Sequence, residues 1–165
     1  MLPAIDSQGK ILMASPFEMK LAPNGNGAFY DAVQNNRQVQ DHIKMMEFVQ
    51  VIGVDNILNK LLDPIQLGFS AINNFCATSK TCCKRNAAEK VGVVAKKDGK
   101  YAIVEYSELS ESHATSVNEN GDLTFRHGNL LMFVFNAKTL LEFTSSDKIK
   151  GLYHKAHKKV DFWDF

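Results

Sequence analysis

Residues 22–32 read Ala-Pro-Asn-Gly-Asn-Gly-Ala-Phe-Tyr-Asp-Ala, a turn with two glycines that runs directly into a helical pattern. Pro23 disfavours a helical backbone at Ala22, and Gly25 and Gly27 reach angles and close approaches that a β-carbon forbids, so no helix is expected before Ala28. A ligand can therefore lie against bare backbone here. The first N–H groups of the helix, and its dipole, would favour a phosphate or a hydroxyl-rich sugar. The same Asn24-Gly25-Asn26-Gly27 also suits a plain turn, because the third glycine of a dinucleotide-binding fingerprint is absent.

Upstream, Ile5 to Met13 predicts a hairpin that turns at Asp6-Ser7-Gln8-Gly9. Downstream, Phe29, Ala32, Val33, Val39 and Ile43 recur at three- and four-residue spacing, predicting helix from Phe29 to Met46 with a break at Asn35-Asn36. Glu47 to Val54 is a β-rich apolar run suited to a buried strand, and it ends in Asp55-Asn56. Ligands of open α/β sheets gather at the C-terminal ends of strands, which gives Asp55 a functional reading. The alternative is that Asp55 only caps a short helix from Ile57 to Leu62. Asp63-Pro64 opens a further helix, with Ile65, Phe69 and Ile72 on one face.

Asn73 to Asn86 is polar and reads as loop or edge, after which Val91–Lys96 and Tyr101–Tyr106 form a hairpin through Asp98-Gly99. Alternation puts Glu105 on the same face as Tyr101 and Ile103. A carboxylate among apolar neighbours is costly unless a lysine or arginine, or a ligand, satisfies it. Gly128-Asn129 precedes the apolar run Leu130–Phe135 and either presents an amide to a ligand or makes a simple turn.

A chain of 165 residues with 45% hydrophobic and 22% charged content is expected to bury one core. Its net charge of +1 argues against a nucleic-acid binder held by bulk electrostatics. With neither a membrane-length apolar run nor a signal segment in Met1–Asp6, the expected address is cytoplasmic. Cys76, Cys82 and Cys83 read as reduced thiols whose spacing matches no common zinc pattern. The tail after Ser146 carries Lys148, Lys150, Lys155, Lys158 and Lys159 with His154 and His157, a basic helix or solvated face, and closes on the aromatic end Val160, Phe162, Trp163 and Phe165.

Five stretches occur in order: Ala22-Pro23-Asn24-Gly25-Asn26-Gly27, Val54-Asp55-Asn56-Ile57-Leu58-Asn59-Lys60, Val91-Gly92-Val93-Val94, Val104-Glu105-Tyr106-Ser107-Glu108 and Gly128-Asn129. Together they resemble eukaryotic UDP-N-acetylhexosamine pyrophosphorylases, over the whole chain but only the middle of that family's longer protein. The resemblance implies an α/β, GT-A-like and Rossmann-like nucleotidyltransferase domain: three layers with a mixed central β-sheet, truncated at both ends, and no separate second domain. It implies a uridylyltransferase that joins UTP to N-acetylglucosamine 1-phosphate with Mg²⁺, releasing UDP-N-acetylglucosamine and pyrophosphate.

By that resemblance Gly25 lies against the uridine nucleotide and Asn26 bonds the sugar or its phosphate. Asp55 sits at the phosphates, as the catalytic residue and Mg²⁺ anchor. The backbone of Gly92, with Glu105 and Asn129, holds the sugar hydroxyls and the N-acetyl group. The expected partners are UTP or a UDP-sugar and an N-acetylhexosamine 1-phosphate, with no nucleic acid and no membrane. The family's basic Gly-x-Gly-Thr-Arg loop has no counterpart here, and Phe133 stands where a histidine is common. The alternative implied is a catalytically inactive UDP-sugar-binding or interaction module, able to associate with a full-length relative.

Overall fold

A computed structural model describes residues 1–146 and 159–163, and the chain divides into two compact units. The first comprises residues 1–42 and 141–165. In it β1 (Leu2–Pro3) pairs antiparallel with β4 (Leu21–Ala22), and β2 (Met13–Ser15) with β3 (Glu18–Met19). The expected turn at residues 6–9 is present. Asp6 Oδ1 accepts the N–H groups of Gln8 (2.8 Å) and Lys10 (2.9 Å), and Gly9 takes φ +84°, but the hairpin arms meet only in an Ile5–Ile11 bridge. Trp163 N–H donates to Met13 O at 2.8 Å, so this part of the aromatic end is tied down. The basic run at 148–158 and Phe165 lie outside the described residues.

Helix α1 (Ala28–Asn35) starts where the glycine turn permits, and Asn36 is extended before α2 (Arg37–Lys44), as the sequence predicts. The Gln40 amide closes this corner by donating to Val33 O (3.0 Å) and Gln34 O (2.7 Å). The helix expected to run to Met46 stops two residues earlier.

The second unit, residues 43–140, holds a five-stranded open sheet. After β5 (Phe48–Ile52) come α3 (Pro64–Ile72), β6 (Ala77–Cys83), the hairpin β7 (Val93–Lys97) and β8 (Lys100–Val104), the short α4 (Glu111–Thr115), β9 (His127–Asn136) and α5 (Ala137–Thr144). Long β9 is the hub. It pairs with β6 along one edge and, along the other, with β5 and then with β7, whose outer neighbour is β8. Thus β5, β6 and β7 run one way and β8 and β9 the other. Val93, Met132, Val134, Ala137 and Leu140 are buried, while β5 is half-buried along its length rather than fully enclosed. Asp98 (φ +52°) and Gly99 (φ +76°) make the β7–β8 turn, as an Asp-Gly pair should.

Two further expectations change. Residues 57–62 form turns instead of a helix: Gln50 on β5 donates to Lys60 O (3.3 Å) and accepts Leu62 N–H (2.8 Å), holding the segment open. Helix α3 is present, with Asp63 accepting Ile65 N–H at 3.2 Å as its N-cap, but its apolar stripe does not face the sheet. Ile65, Phe69 and Ile72 are 77%, 57% and 87% exposed, whereas Gln66 and Ser70 are buried. Hydrogen bonds set this rotation: Gln66 Nε2 donates to Met132 O at 3.3 Å, and the Ser70 and Thr78 hydroxyls meet at 2.8 Å. Among the described residues no helix is long and apolar enough to cross a membrane.

Candidate functional site

The two strands that share an edge of β9 leave a gap between them. Ile52 of β5 faces Met132, and Val93 of β7 faces Gly128, so residues 129–131 lie between the end of β5 and the start of β7. On the opposite edge Ser79 faces Phe133 and Thr81 faces Asn129, so four steps along β9 answer two along β6. This is a β-bulge, and bulges re-aim side chains. Leu131 within it takes φ +53°, a left-handed conformation uncommon for leucine.

Four of the six residues singled out by sequence converge on this gap. Asp55 leaves the end of β5, Gly92 enters β7, Glu105 follows β8 beside Gly92, and Asn129 opens the bulge. A continuous set of contacts joins them. Asn129 N–H donates to Gly92 O at 2.8 Å, Leu131 N–H donates to Asn129 Oδ1 at 3.1 Å, and Gly53 N–H donates to Leu131 O at 3.0 Å. A Cβ built on Gly53 would lie 3.1 Å from Asp55 Oδ1 and 3.2 Å from Leu131 Cδ2; one built on Gly92 would lie 3.2 Å from Glu105 Oε1 and 3.1 Å from Ile103 Cγ2. A side chain at either position would crowd the neighbouring carboxylate and make it shift by a few tenths of an ångström.

The half-buried Glu105 carboxylate accepts no hydrogen bond and meets no cation among the described residues; only its backbone is engaged, Glu105 N–H donating to Glu108 Oε2 at 3.1 Å. Of the two ways to satisfy this carboxylate, the lysine or arginine partner is not supplied by the described residues. Asp55 is exposed and likewise unpartnered among them, and it caps no helix. The turn is served by its neighbour, Asn56 Oδ1 accepting Leu58 N–H at 3.1 Å. Lys60, five residues on, is turned away to Asp63 Oδ1 (3.4 Å). Asp63 also pairs with Lys80 on β6, and the Lys80 ammonium is the main reason its carboxyl is held below the usual range.

Gly25 and Asn26 belong to the first unit, where both are exposed. Gly25 takes φ +75°, which explains the glycine. The helix-opening N–H groups expected to face a ligand are already used: Ala28, Phe29 and Tyr30 donate to the carbonyls of Gly25, Asn26 and Gly27 at 3.1–3.3 Å. What this turn offers a ligand is therefore its own backbone and the Asn26 side chain.

Among the described residues no group of three or more histidine, cysteine, aspartate or glutamate side chains could hold a metal ion. A lone aspartate nevertheless suits Mg²⁺, which commonly binds one or two carboxylates and takes its other ligands from phosphates and water. Asp55, a hard oxygen donor without a protein partner among the described residues, fits that use.

Sequence reasoning missed Gln50, Gly53, Leu131 and the Asp63–Lys80 pair. Gly53 was legible in principle, as a glycine closing a β-rich run just before an acid. Leu131 carries no local signal.

The family described as UTP–glucose-1-phosphate uridylyltransferase matches residues 1–162. Over 165 residues the chain is 38% identical to UDP-N-acetylhexosamine pyrophosphorylase-like protein 1 of Xenopus tropicalis, covering 99% of this chain and 32% of that protein. It is 34% identical to the UDP-N-acetylglucosamine pyrophosphorylase of Saccharomyces cerevisiae, covering 99% of this chain and 35% of that enzyme. The crystal structure of the Trypanosoma brucei UDP-N-acetylglucosamine pyrophosphorylase, in complex with an inhibitor, superposes with a TM-score of 0.81 at 27% identity, over 96% of this chain and 32% of that one. The chain thus spans about a third of the length of these relatives. The open α/β arrangement is the GT-A-like, Rossmann-like nucleotidyltransferase fold that the five motifs imply. With the motifs, the fold and the match in agreement, the chain belongs to the UTP–glucose-1-phosphate uridylyltransferase family and, within it, to the UDP-N-acetylhexosamine pyrophosphorylases.

Proposed function

We propose that this chain carries the sugar-binding portion of a UDP-N-acetylglucosamine pyrophosphorylase catalytic domain. The observation that carries the reading is the half-buried Glu105 carboxylate, which lacks a partner among the described residues and lies beside Gly92 at the β9 bulge. A sugar hydroxyl donating to Glu105 supplies the missing partner. The Asn129 NH₂ donates to an oxygen of the sugar or its N-acetyl group, while Gly92, itself buried with its carbonyl held by Asn129 N–H, leaves the room in which the Glu105 carboxylate sits. For Gly25 and Asn26, in the first unit, the support for contacts with the uridine nucleotide and with the sugar or its phosphate is the family resemblance of the motif they stand in.

In the reaction an oxygen of N-acetylglucosamine 1-phosphate attacks the α-phosphorus of UTP in line. A P–O bond forms, the bond to the β-phosphate breaks, and its electron pair leaves with pyrophosphate. Such chemistry depends on positioning and on charge stabilisation rather than on a nucleophilic side chain. Asp55 would hold Mg²⁺, which when bound offsets the negative charge of the phosphates. The three cysteines are exposed and free, which suits a reducing, cytoplasmic setting.

The second reading is a UDP-sugar-binding module without turnover that associates with a full-length relative; it calls on Glu105, Gly92 and Asn129 but on no metal at Asp55. Pyrophosphate release from UTP, dependent on N-acetylglucosamine 1-phosphate, tests the enzyme reading; UDP-N-acetylglucosamine binding without release supports the module. Neither binding nor release contradicts both.

A further inference from the structure

We propose that Leu131 is a positioning residue whose left-handed backbone couples the Asp55 turn to Asn129 and fixes which face of the Asn129 amide a ligand meets. The inference rests on the reading of Asn129 as a sugar ligand. Leu131 stands at the middle of the bulge, and its main-chain groups reach Gly53 on the β5 side of the gap and Asn129 within it. Its N–H donates to Asn129 Oδ1 at 3.1 Å, and its carbonyl accepts Gly53 N–H at 3.0 Å, one residue past β5. Both bonds are made from φ +53°.

The polarity of this contact is fixed by chemistry. An N–H needs an acceptor, so the amide atom facing Leu131 is the oxygen, and the NH₂ is left to point away. Asn129 is thereby set as a donor, and Glu105, which adjoins the same Gly92, is an acceptor. The ligand edge these two would recognise carries a hydroxyl donor and, next to it, an acceptor oxygen. A sugar bearing a hydroxyl beside an acetamido carbonyl has that pattern.

The Leu131 side chain has a separate role. A Cβ at Gly53 would meet Leu131 Cδ2 at 3.2 Å, so the leucine packs over Gly53 and the Asp55 turn. Packing and backbone conformation can be separated by substitution. Leu131→Gly and Leu131→Asn discard the packing but favour positive φ, whereas Leu131→Val keeps apolar bulk while β-branching strongly disfavours it.

The test is titration of the full 165-residue chain and these three variants with UDP-N-acetylglucosamine, alongside urea denaturation to score folding. Positioning predicts that L131G and L131N hold the parent affinity within about threefold, although less stable, while L131V loses about tenfold or more. A packing role predicts the opposite order, with L131V nearest the parent, and that order would overturn the proposal. If L131V fails to fold, affinities of L131G and L131N well below the parent's would do the same. Should the parent itself not bind, the sugar reading fails, and amide hydrogen exchange of the parent and Asn129→Ala decides the coupling. Faster exchange at the Leu131 and Gly53 amides of N129A supports it; unchanged exchange at both refutes it.

Discussion

The main-chain N–H of Leu131 donates to the side-chain oxygen of Asn129 at 3.1 Å, leaving the Asn129 NH₂ without a hydrogen-bond partner among the described residues. Asn129→Asp keeps an acceptor for Leu131 but puts a carboxylate oxygen where the NH₂ stood. Folding should change little, within about 1 kcal/mol, while UDP-N-acetylglucosamine affinity falls about tenfold or more. Calorimetric titration beside urea denaturation measures both; parent-like affinity would mean that Asn129 does not donate to the sugar.

Glu105→Gln removes a charge that has no cation partner among the described residues. Stability should stay within about 0.5 kcal/mol of the parent, because no ion pair is lost. Ligand affinity should drop, since a neutral amide accepts a sugar hydroxyl less strongly than a carboxylate does. A large loss of stability would point to a structural role instead.

Gly92→Ala introduces a Cβ 3.2 Å from Glu105 Oε1 and 3.1 Å from Ile103 Cγ2. The carboxylate can swing aside, so the expected cost in stability is small, about 1 kcal/mol, while UDP-N-acetylglucosamine affinity falls about tenfold. Equal affinity in the alanine variant would remove Gly92 from the site.

Asp63 supplies a pH dependence. Its carboxyl is held below the ordinary range, first by the Lys80 ammonium, so the folded state favours the ionised form. The contribution is present above the unfolded value of about 3.9 and is lost as pH falls through the lower folded value. Asp63→Asn keeps an N-cap for α3 but loses the pairing with Lys80. It should therefore melt below the parent at pH 7, with the difference closing below about pH 4. Melting curves from pH 7 to 3 measure this; a constant difference would exclude the ion pair as its source.

The turn residues were the legible part of the fold. The Asp98-Gly99 hairpin, the start of α1 at Ala28 and the break at Asn36 follow from local backbone chemistry that the sequence displays directly. Pairings remote in sequence were not legible. Gln50 displaces the helix expected at 57–62 through bonds ten and twelve residues away, and Ser70 turns α3 by meeting Thr78, so neither periodicity nor capping rules could foresee them. At the candidate site, Asp55, Gly92, Glu105 and Asn129 stood out as acids or polar residues in apolar settings or within motifs. Leu131 did not, because its conformation is imposed by the bulge and not by its side chain.

The most direct measurement is the thermal midpoint of the chain with and without millimolar UDP-N-acetylglucosamine and Mg²⁺, repeated with Glu105→Ala. A ligand that binds the native state alone raises the midpoint by mass action. A rise in the parent that vanishes in E105A is the result expected of a sugar site built at the β9 bulge. A cooperative melt that the ligand leaves unmoved in the parent, or a rise that survives undiminished in E105A, would contradict it.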